Sequence, residues 1–342
     1  MSRYIGVDLH RDCFTVCTRL ENERQHVSTW KLEGLSRFSS GLRPTDEVAV
    51  EVTGNVRLFY DAVAPWVKRV VVVNPRQFEV IRKSVNKTDP HDARALALFL
   101  SKDMLPEVRM KDATHAEMAS LVQTRDTLVK SRTALKNKVN NLLSARGVNL
   151  RKESLASEKG LREVLGMGFG GTVEVELEVL VEQIRSLNHS IARLEKAIAD
   201  QGPKLPGHEN LKSIKGIGDL GAGVLLSVIG DVNDFKDEGK LAAYFGIVPR
   251  ISNSNETQHS GRITKRGSKL GRTVLIQCAM IAKRYSPYLQ RYYERIRARR
   301  GTGKAIVALA RKFLGIIHLT LKNNLIWEDF PNGVVRDPEA CP

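Results

Sequence analysis

The stretch Asn86-Lys87-Thr88-Asp89-Pro90-His91-Asp92-Ala93 holds two carboxylates three residues apart, just ahead of the helix-forming run Ala93 to Leu100. A helix starting here places both carboxylates on one face of its first turn. Two like charges held that close call for a cation, and a divalent metal is the commonest one. The plainer reading makes Asp89 an N-cap, with Asp92 a second acid favoured by the helix dipole. Two further acids bear on the choice. Asp8 closes the strand-like run Tyr4-Ile5-Gly6-Val7-Asp8, and Glu51 stands near the end of the apolar run Glu47 to Val52. In α/β folds, sites form beyond the carboxyl ends of strands, where Asp8, Glu51, Asp89 and Asp92 are all placed to meet. Four carboxylates at one point cannot all ionise without cations. A pair of magnesium ions clamping the attacking and leaving oxygens of a phosphate is the chemistry such a quartet serves. Taken singly, Asp8 reads as a turn residue and Glu51 as a strand-edge charge.

A second group of reactive side chains lies far along the chain. Ile251 to Gly261 is polar and so rich in turn formers that an irregular loop is expected. It opens onto Arg262, Lys265, Arg266, Lys269 and Arg272, and a hydroxyl beside clustered cations could attack a phosphodiester. The plain alternative is a serine-rich loop without chemistry. Upstream, Lys215-Gly216-Ile217-Gly218 between two apolar helical segments looks like a helix-hairpin-helix element, whose glycines let backbone N–H groups approach a phosphate. A simple helix-turn-helix packing unit is the alternative. The formal charge of the 342-residue chain is +16, and from Arg250 to Lys312 sixteen Lys/Arg face only two Asp/Glu. That concentration points to a polyanion, most simply nucleic acid. A membrane surface fits less well, because neither a long apolar span nor a lipidation motif accompanies the charge. Tyr285, Tyr288, Tyr292 and Tyr293 sit among these cations, suiting backbone contact and base stacking.

The elements that must position these groups fall into three blocks. Strand and helix patterns over the first hundred residues read β-β-β-α-β-α-β-α, an α/β layer fold with a mixed sheet. From Met118 long helices take over. Leu121, Leu128, Leu135 and Leu142 recur every seven residues with Arg125, Arg132 and Val139 between them, a partly polar seam. Leu177, Leu180, Ile184, Leu187, Ile191, Leu194 and Ile198 keep a stricter 3-4 spacing, a coiled-coil signal. The two segments could equally pair as a hairpin within one chain. The Gly-rich connector 166–171 follows no clear strand and reads as a flexible joint, not a phosphate loop. Residues 200–209, rich in Pro and Gly, mark a second boundary, and mostly helical, basic sequence follows to about residue 325; the stretch from Trp327 on is expected to be peripheral. This gives domains at 1–110, 111–205 and 206–325, with a tail at 326–342. Four cysteines (Cys13, Cys17, Cys278, Cys341) show no zinc-type spacing, and no signal peptide is visible, so a reduced, cytoplasmic protein is expected.

Six ordered segments carry a family likeness: Gly6-Val7-Asp8, Glu51-Val52-Thr53-Gly54, Lys87 to Ala93, Ile214 to Gly218, Phe245-Gly246-Ile247-Val248-Pro249-Arg250, and Ile263 to Gly267. Over roughly residues 3 to 325 the sequence resembles the DEDD transposases of the insertion-sequence family numbered one hundred and ten, bridge-RNA-guided serine recombinases. The resemblance implies an N-terminal RuvC-like (RNase H-like) domain whose acidic quartet, Asp8, Glu51, Asp89 and Asp92, binds two Mg2+ ions. A central coiled coil serves assembly, and a mostly helical transposase domain supplies a nucleophilic serine. Counting from Gly246, the matching position is Ser254. Here the chain departs from the family: the usual Ser-Gly is Ser254-Asn255, while Ser260-Gly261 restores the dipeptide six residues later, and Ser252 is a third hydroxyl nearby. Lys215 stands where the family pattern has Pro. The implied activity is DNA cleavage and strand exchange through a covalent phosphoserine. Its partners are donor and target DNA and a guide RNA. The implied assembly is a dimer or tetramer, at the nucleoid and not at a membrane. Lys215, Gly216, Gly218, Arg250, Arg262, Lys265, Arg266, Lys269 and Arg272 are the expected nucleic-acid contacts. The alternatives are a RuvC-like nuclease that hydrolyses DNA without a covalent step, and a non-catalytic nucleic-acid-binding protein.

Overall fold

The chain divides into two compact units, Met1–Met110 and Lys111–Pro342. A computed structural model describes residues 2–74, 88–151, 154–254 and 257–336, apart from the side chains of 251–260. Asn86, Lys87 and Cys341 lie outside the described residues, as do the side chains of Ser252, Ser254 and Ser260.

The first unit is a five-stranded mixed sheet in the order β3-β2-β1-β4-β5. Strands β1 (Arg3–Leu9), β2 (Cys13–Leu20) and β3 (Gln25–Lys31) form an antiparallel meander. Strands β4 (Glu47–Glu51) and β5 (Arg69–Val73) then run parallel to β1. The alternation of β1 sorts its side chains. Ile5, Val7 and Leu9 bury against one layer, where α1 (Leu35–Ser40) and α2 (Val56–Val63) contribute Phe38 and Phe59. Phe14 meets Phe38 and Phe59 edge-on, with ring centroids 5.2 and 5.7 Å away. Aromatic cores of this kind cost about 3–5 kcal/mol per Phe on truncation to Ala. Gly6 and Asp8 face the opposite layer, which is covered by α3 (Asp89–Ser101).

In the second unit, α4 (Ala113–Ser144) and α6 (Gly171–Gln201) lie antiparallel against each other within the chain. The polar seam is explained by this pairing. Arg125 Nε donates to Glu195 Oε1 at 3.0 Å, and Arg132 Nη1 donates to Asn188 Oδ1 at 2.8 Å. Toward the tip, Val139, Leu143, Leu177, Val181 and Ile184 form an apolar core with α5 (Glu158–Leu165). At the base, Met118, Val122 and Ile198 join the core of the remaining helices. These are α7 (His208–Lys212), α8 (Asp219–Ile229), α9 (Glu238–Tyr244), α10 (Lys269–Tyr285), α11 (Pro287–Arg300) and α12 (Thr302–Lys322).

Three expectations are corrected here. The segment expected to be an irregular loop is an antiparallel hairpin, β6 (Pro249–Ser254) with β7 (Thr257–Ile263). Its pairing needs only backbone groups, so two polar strands leave no hydrophobic alternation to read. The sequence from Trp327 on is not peripheral throughout. Phe330 is buried in the core, and Trp327 donates through Nε1 to Thr320 Oγ1 at 3.0 Å. Tyr293 is also buried in the core, so it cannot stack on a base, whereas Tyr285 and Tyr288 are about half exposed. Among the described residues no helix is long and apolar enough to cross a membrane. The described cysteines are free, and burial pushes the Cys17 thiol up and the Cys278 thiol up to about 11.

Candidate metal centre and nucleic-acid interface

The acidic cluster is built by one crossing of helix on strand. A Cβ on Gly6 would lie 2.1 Å from the Ala93 carbonyl oxygen and 2.5 Å from the Ala97 nitrogen, so only glycine lets α3 sit this close to β1. From that crossing, Asp8 is two residues along the strand, about 6.7 Å. Asp89 is one turn back along the helix, about 6 Å. The two steps match, and His10 closes the gap: its Nε2 lies 3.3 Å from Asp8 Oδ2 and 3.3 Å from Asp89 Oδ2. Ligand atoms of Asp8, His10 and Asp89 all fall within 4.8 Å of one another.

The other two acids stand outside this group, each placed differently. Asp92 is buried, and its Oδ1 has no hydrogen-bond partner. A buried oxygen left so costs about 1–3 kcal/mol, more for a charged group. The half-buried Glu51 ends β4; because Val7 pairs with Val50 in parallel register, Glu51 is the next residue beside Asp8 and shares its face. Burial pushes the Asp8 carboxyl above its ordinary range, and the charges of Asp89 and Asp92 push the same way against the opposing effect of His10. The N-cap reading of Asp89 fails: Thr88 is the N-cap of α3, and Asp89 is the first helical residue, with its carboxylate turned to His10. The gathered Asp8 and Asp89 oxygens, beside a buried Asp92 oxygen that has no hydrogen bond and lies 3.7 Å from His91 Nδ1, are a donor set that fits a hard divalent cation. Sequence reasoning missed His10. Its one signal was the two-residue spacing from Asp8, which keeps both side chains on the same face.

The serine-bearing hairpin is pinned at its base by two close backbone crossings. Gly246, at φ +68°, would bring a Cβ to 1.9 Å from the Arg266 oxygen, and Gly267, at φ +91°, to 2.1 Å from the Tyr244 oxygen. Arg272 Nη1 donates to the carbonyls of Phe245, Arg266 and Gly267 at 3.1–3.3 Å, clamping these turns together. Arg272 is thus a holder of the loop before it is a phosphate ligand. Lys265 adopts a left-handed φ of +55°, held by its N–H bond to the Gly246 oxygen at 3.0 Å. Such strain, about 1–3 kcal/mol per residue, persists only where the surroundings enforce it. Arg250, Arg262, Lys265, Arg266 and Lys269 are exposed around the hairpin. The backbone of Ser254 pairs with Thr257, and Ser260 lies opposite Ile251.

The expected helix-hairpin-helix glycines separate. A Cβ on Gly216 (φ +112°) would lie 2.6 Å from the Ala282 nitrogen, so its glycine is required by packing on α10. Gly218 is exposed ahead of α8 with open space around it, and Lys215 is exposed beside it.

Two family models match the parts of the chain that carry these residues. A transposase model of the DEDD, IS110 type matches residues 5–146, and one described as the transposase IS116/IS110/IS902 family matches residues 208–294. The chain is 27% identical to the transposase for insertion sequence element IS1111A of Coxiella burnetii over 336 residues, covering 92% of this chain and 88% of that protein. It is 27% identical to a probable family 20 transposase of Pseudomonas aeruginosa, over 90% and 93% of the two chains. It is 26% identical to the pilin gene-inverting protein of Moraxella lacunata, over 94% and 96%. A DEDD transposase domain implies a site that depends on a divalent metal, and among the described residues the group of Asp8, His10 and Asp89 could hold one. IS110-type transposase models thus match the chain at two successive stretches, and it is a DNA transposase or recombinase.

Proposed function

We propose that this transposase cuts and exchanges DNA strands through a covalent phosphoserine, with an Mg2+-dependent acidic site on a RuvC-like (RNase H-like) domain. The observation that carries the metal half is the convergence of Asp8, Asp89 and His10 beside a buried Asp92 oxygen that has no hydrogen bond. The strand order β3-β2-β1-β4-β5, with Asp8 next to the last residue of β1 and Glu51 the last of β4, supports the RNase H-like reading. The nucleophile is Ser254 by its register after Gly246, with Ser260 the competitor.

In the first step the serine Oγ bonds to phosphorus and the bond from phosphorus to the 3′ oxygen breaks; the hydroxyl proton leaves Oγ and a proton ends on the released 3′ oxygen. After exchange, a 3′ hydroxyl attacks the phosphoserine and the serine leaves, so no phosphodiester energy is lost. Asp8, Glu51, Asp89 and Asp92 hold the divalent cations, which when bound neutralise charge on the phosphate. The exposed cations around β6 and β7 hold the backbone near the hydroxyls. A guide RNA, by pairing, selects the DNA sites. The assembly is a dimer or tetramer. Val175 and Val179, exposed one turn apart on α6, offer an assembly face on the helical hairpin.

The rival is hydrolysis by the acidic site alone, without a covalent step; a self-contained cluster within Met1–Met110 favours it. Trapping the protein on a nicked suicide DNA substrate and mapping the adduct by mass spectrometry tests the choice. A phosphodiester link to Ser254 is expected, and Ser254→Ala is expected to abolish the adduct. Full cleavage by a variant lacking both Ser254 and Ser260 establishes hydrolysis instead, and an adduct on Ser260 moves the register by six residues.

A further inference from the structure

One wall of a long depression in the second unit is the serine-bearing hairpin itself. The cavity, about 1150 Å³, runs between Pro249, Gly261 and Ile263 of that hairpin and the facing helices α11 and α12. It exceeds the range of about 300–1,000 Å³ usual for small-molecule sites. Its floor is apolar, with Ile247, Ile263, Ile296 and Val307, while Arg262, Lys265, Arg300, Lys304 and Arg311 supply five cations. A second depression of about 520 Å³ adjoins it, lined only by Tyr288, Arg291, Tyr292, Arg295 and Lys312. Tyr292 lines both, so the two form one track. Among the described residues no Asp or Glu lines either part. Arg295 lies 5.5 Å from the Tyr292 ring centroid and Lys312 lies 5.7 Å from that of Tyr288, so cations and rings are interleaved along the track.

Duplex DNA shows a protein charge and groove edges, with base faces hidden in the stack. An apolar floor and two partly exposed tyrosines are of no use to it. An unpaired strand has what these surfaces match: base faces for apolar and aromatic contact, and a phosphate per nucleotide for the cations. We propose that this track binds single-stranded DNA, the strand freed beside the serine hairpin when the duplex opens for exchange, with Tyr288 and Tyr292 as stacking platforms. The proposal rests on the reading of β6 and β7 as the nucleophile-bearing hairpin for the choice of DNA as occupant, while the binding itself needs no cleavage.

The test is equilibrium binding of a fluorescent mixed-sequence oligonucleotide to the full chain by anisotropy, as single-stranded DNA, duplex DNA and single-stranded RNA. Tyr292→Ala is expected to weaken single-stranded DNA binding about tenfold and duplex binding by less than about twofold. Tyr292→Phe is expected to restore it, because the ring and not the hydroxyl does the stacking. Trp66→Ala, an exposed aromatic residue that lines neither depression, is expected to bind as the parent does. Arg300→Ala with Lys304→Ala should lower the slope of log affinity against log salt by about one to two. An iodouracil-substituted strand should photocrosslink to Tyr288 or Tyr292 in the unmodified protein. An unchanged affinity in Tyr292→Ala, an equal loss for duplex, or a Tyr292-dependent preference for RNA of tenfold or more overturns the proposal. Failure to find a serine adduct leaves these binding results standing, so the two readings fail separately.

Discussion

Asp8→Asn is expected to lower DNA strand cleavage by about 10³-fold while leaving the Met1–Met110 unit folded and, in chelator, no less heat-stable than the parent. The loss follows from removing one charged group beside Asp89, His10 and Asp92, an electrostatic site of the kind whose single-group removals cost about 10²–10³-fold. The retained stability follows from the same crowding. Burial, with Asp89 and Asp92 nearby, holds the Asp8 carboxyl above its ordinary pKa, so the fold disfavours its ionised form. That penalty is fully present above the folded-state pKa and is relieved as pH falls through it. The metal-free parent therefore gains stability from this group on acidification from neutral pH, and the Asn variant shows no such gain. Cleavage of a labelled substrate with added Mg2+, and melting with EDTA across the acid range, measure the two halves. Cleavage within tenfold of the parent would remove Asp8 from the chemistry, and a large drop in melting temperature would make it a structural group.

Gly6→Ala is expected to be nearly as damaging to activity although residue 6 carries no reactive group. The added methyl would lie 2.1 Å from one backbone atom of α3 and 2.5 Å from another, and backbone cannot rotate aside as a side-chain end can. The helix has to lift by an ångström or more, which overpacking data put at about 1–3 kcal/mol of stability. Because Asp89 and Asp92 ride on the first turn of α3, they move with it. Misplacement of about 1 Å can cost 10²-fold in rate. Gly34→Ala makes the comparison, since its nearest neighbour would be 3.5 Å away, an ordinary contact. The expected outcome is roughly hundredfold slower cleavage in Gly6→Ala with all four acids present, and little change in Gly34→Ala. Equal activity in the two would mean that α3 does not set the geometry of the acids.

The sequence was most legible where local pattern and chemistry coincide. Asp8 and Glu51 stand out as candidates because each closes an apolar run, and strand ends are where α/β sites form. Asp89 and Asp92 stand out by helical spacing, but the cap is Thr88 and not the expected Asp89. What stayed hidden depends on partners far along the chain. Gly6 is one glycine among many until Ala93 and Ala97 are set against it. Arg125 and Arg132 look like flaws in a seam until Glu195 and Asn188 arrive opposite them. Tyr292 and Tyr293 are neighbours of identical type; only the placement of α11 on the core buries one and leaves the other on the track. The β6–β7 hairpin escaped notice because its pairing is written in backbone bonds and in two glycine crossings, neither of which leaves a hydrophobic period.

The antiparallel pair α4 and α6 amounts to a ruler with a marked scale. Thirty-two residues of α4 at about 1.5 Å each make a rod of about 48 Å. Its two polar rungs, Arg125–Glu195 and Arg132–Asn188, are seven residues apart on both helices, but one pairs charge with charge and the other charge with amide. A slip of one heptad exchanges these partners and leaves one rung empty, so the arms have a single register. The reach of the rod can therefore change only in matched steps of about 10 Å on both helices at once. Whatever it separates is held at a distance that this chain can keep or redraw, but cannot adjust by degrees.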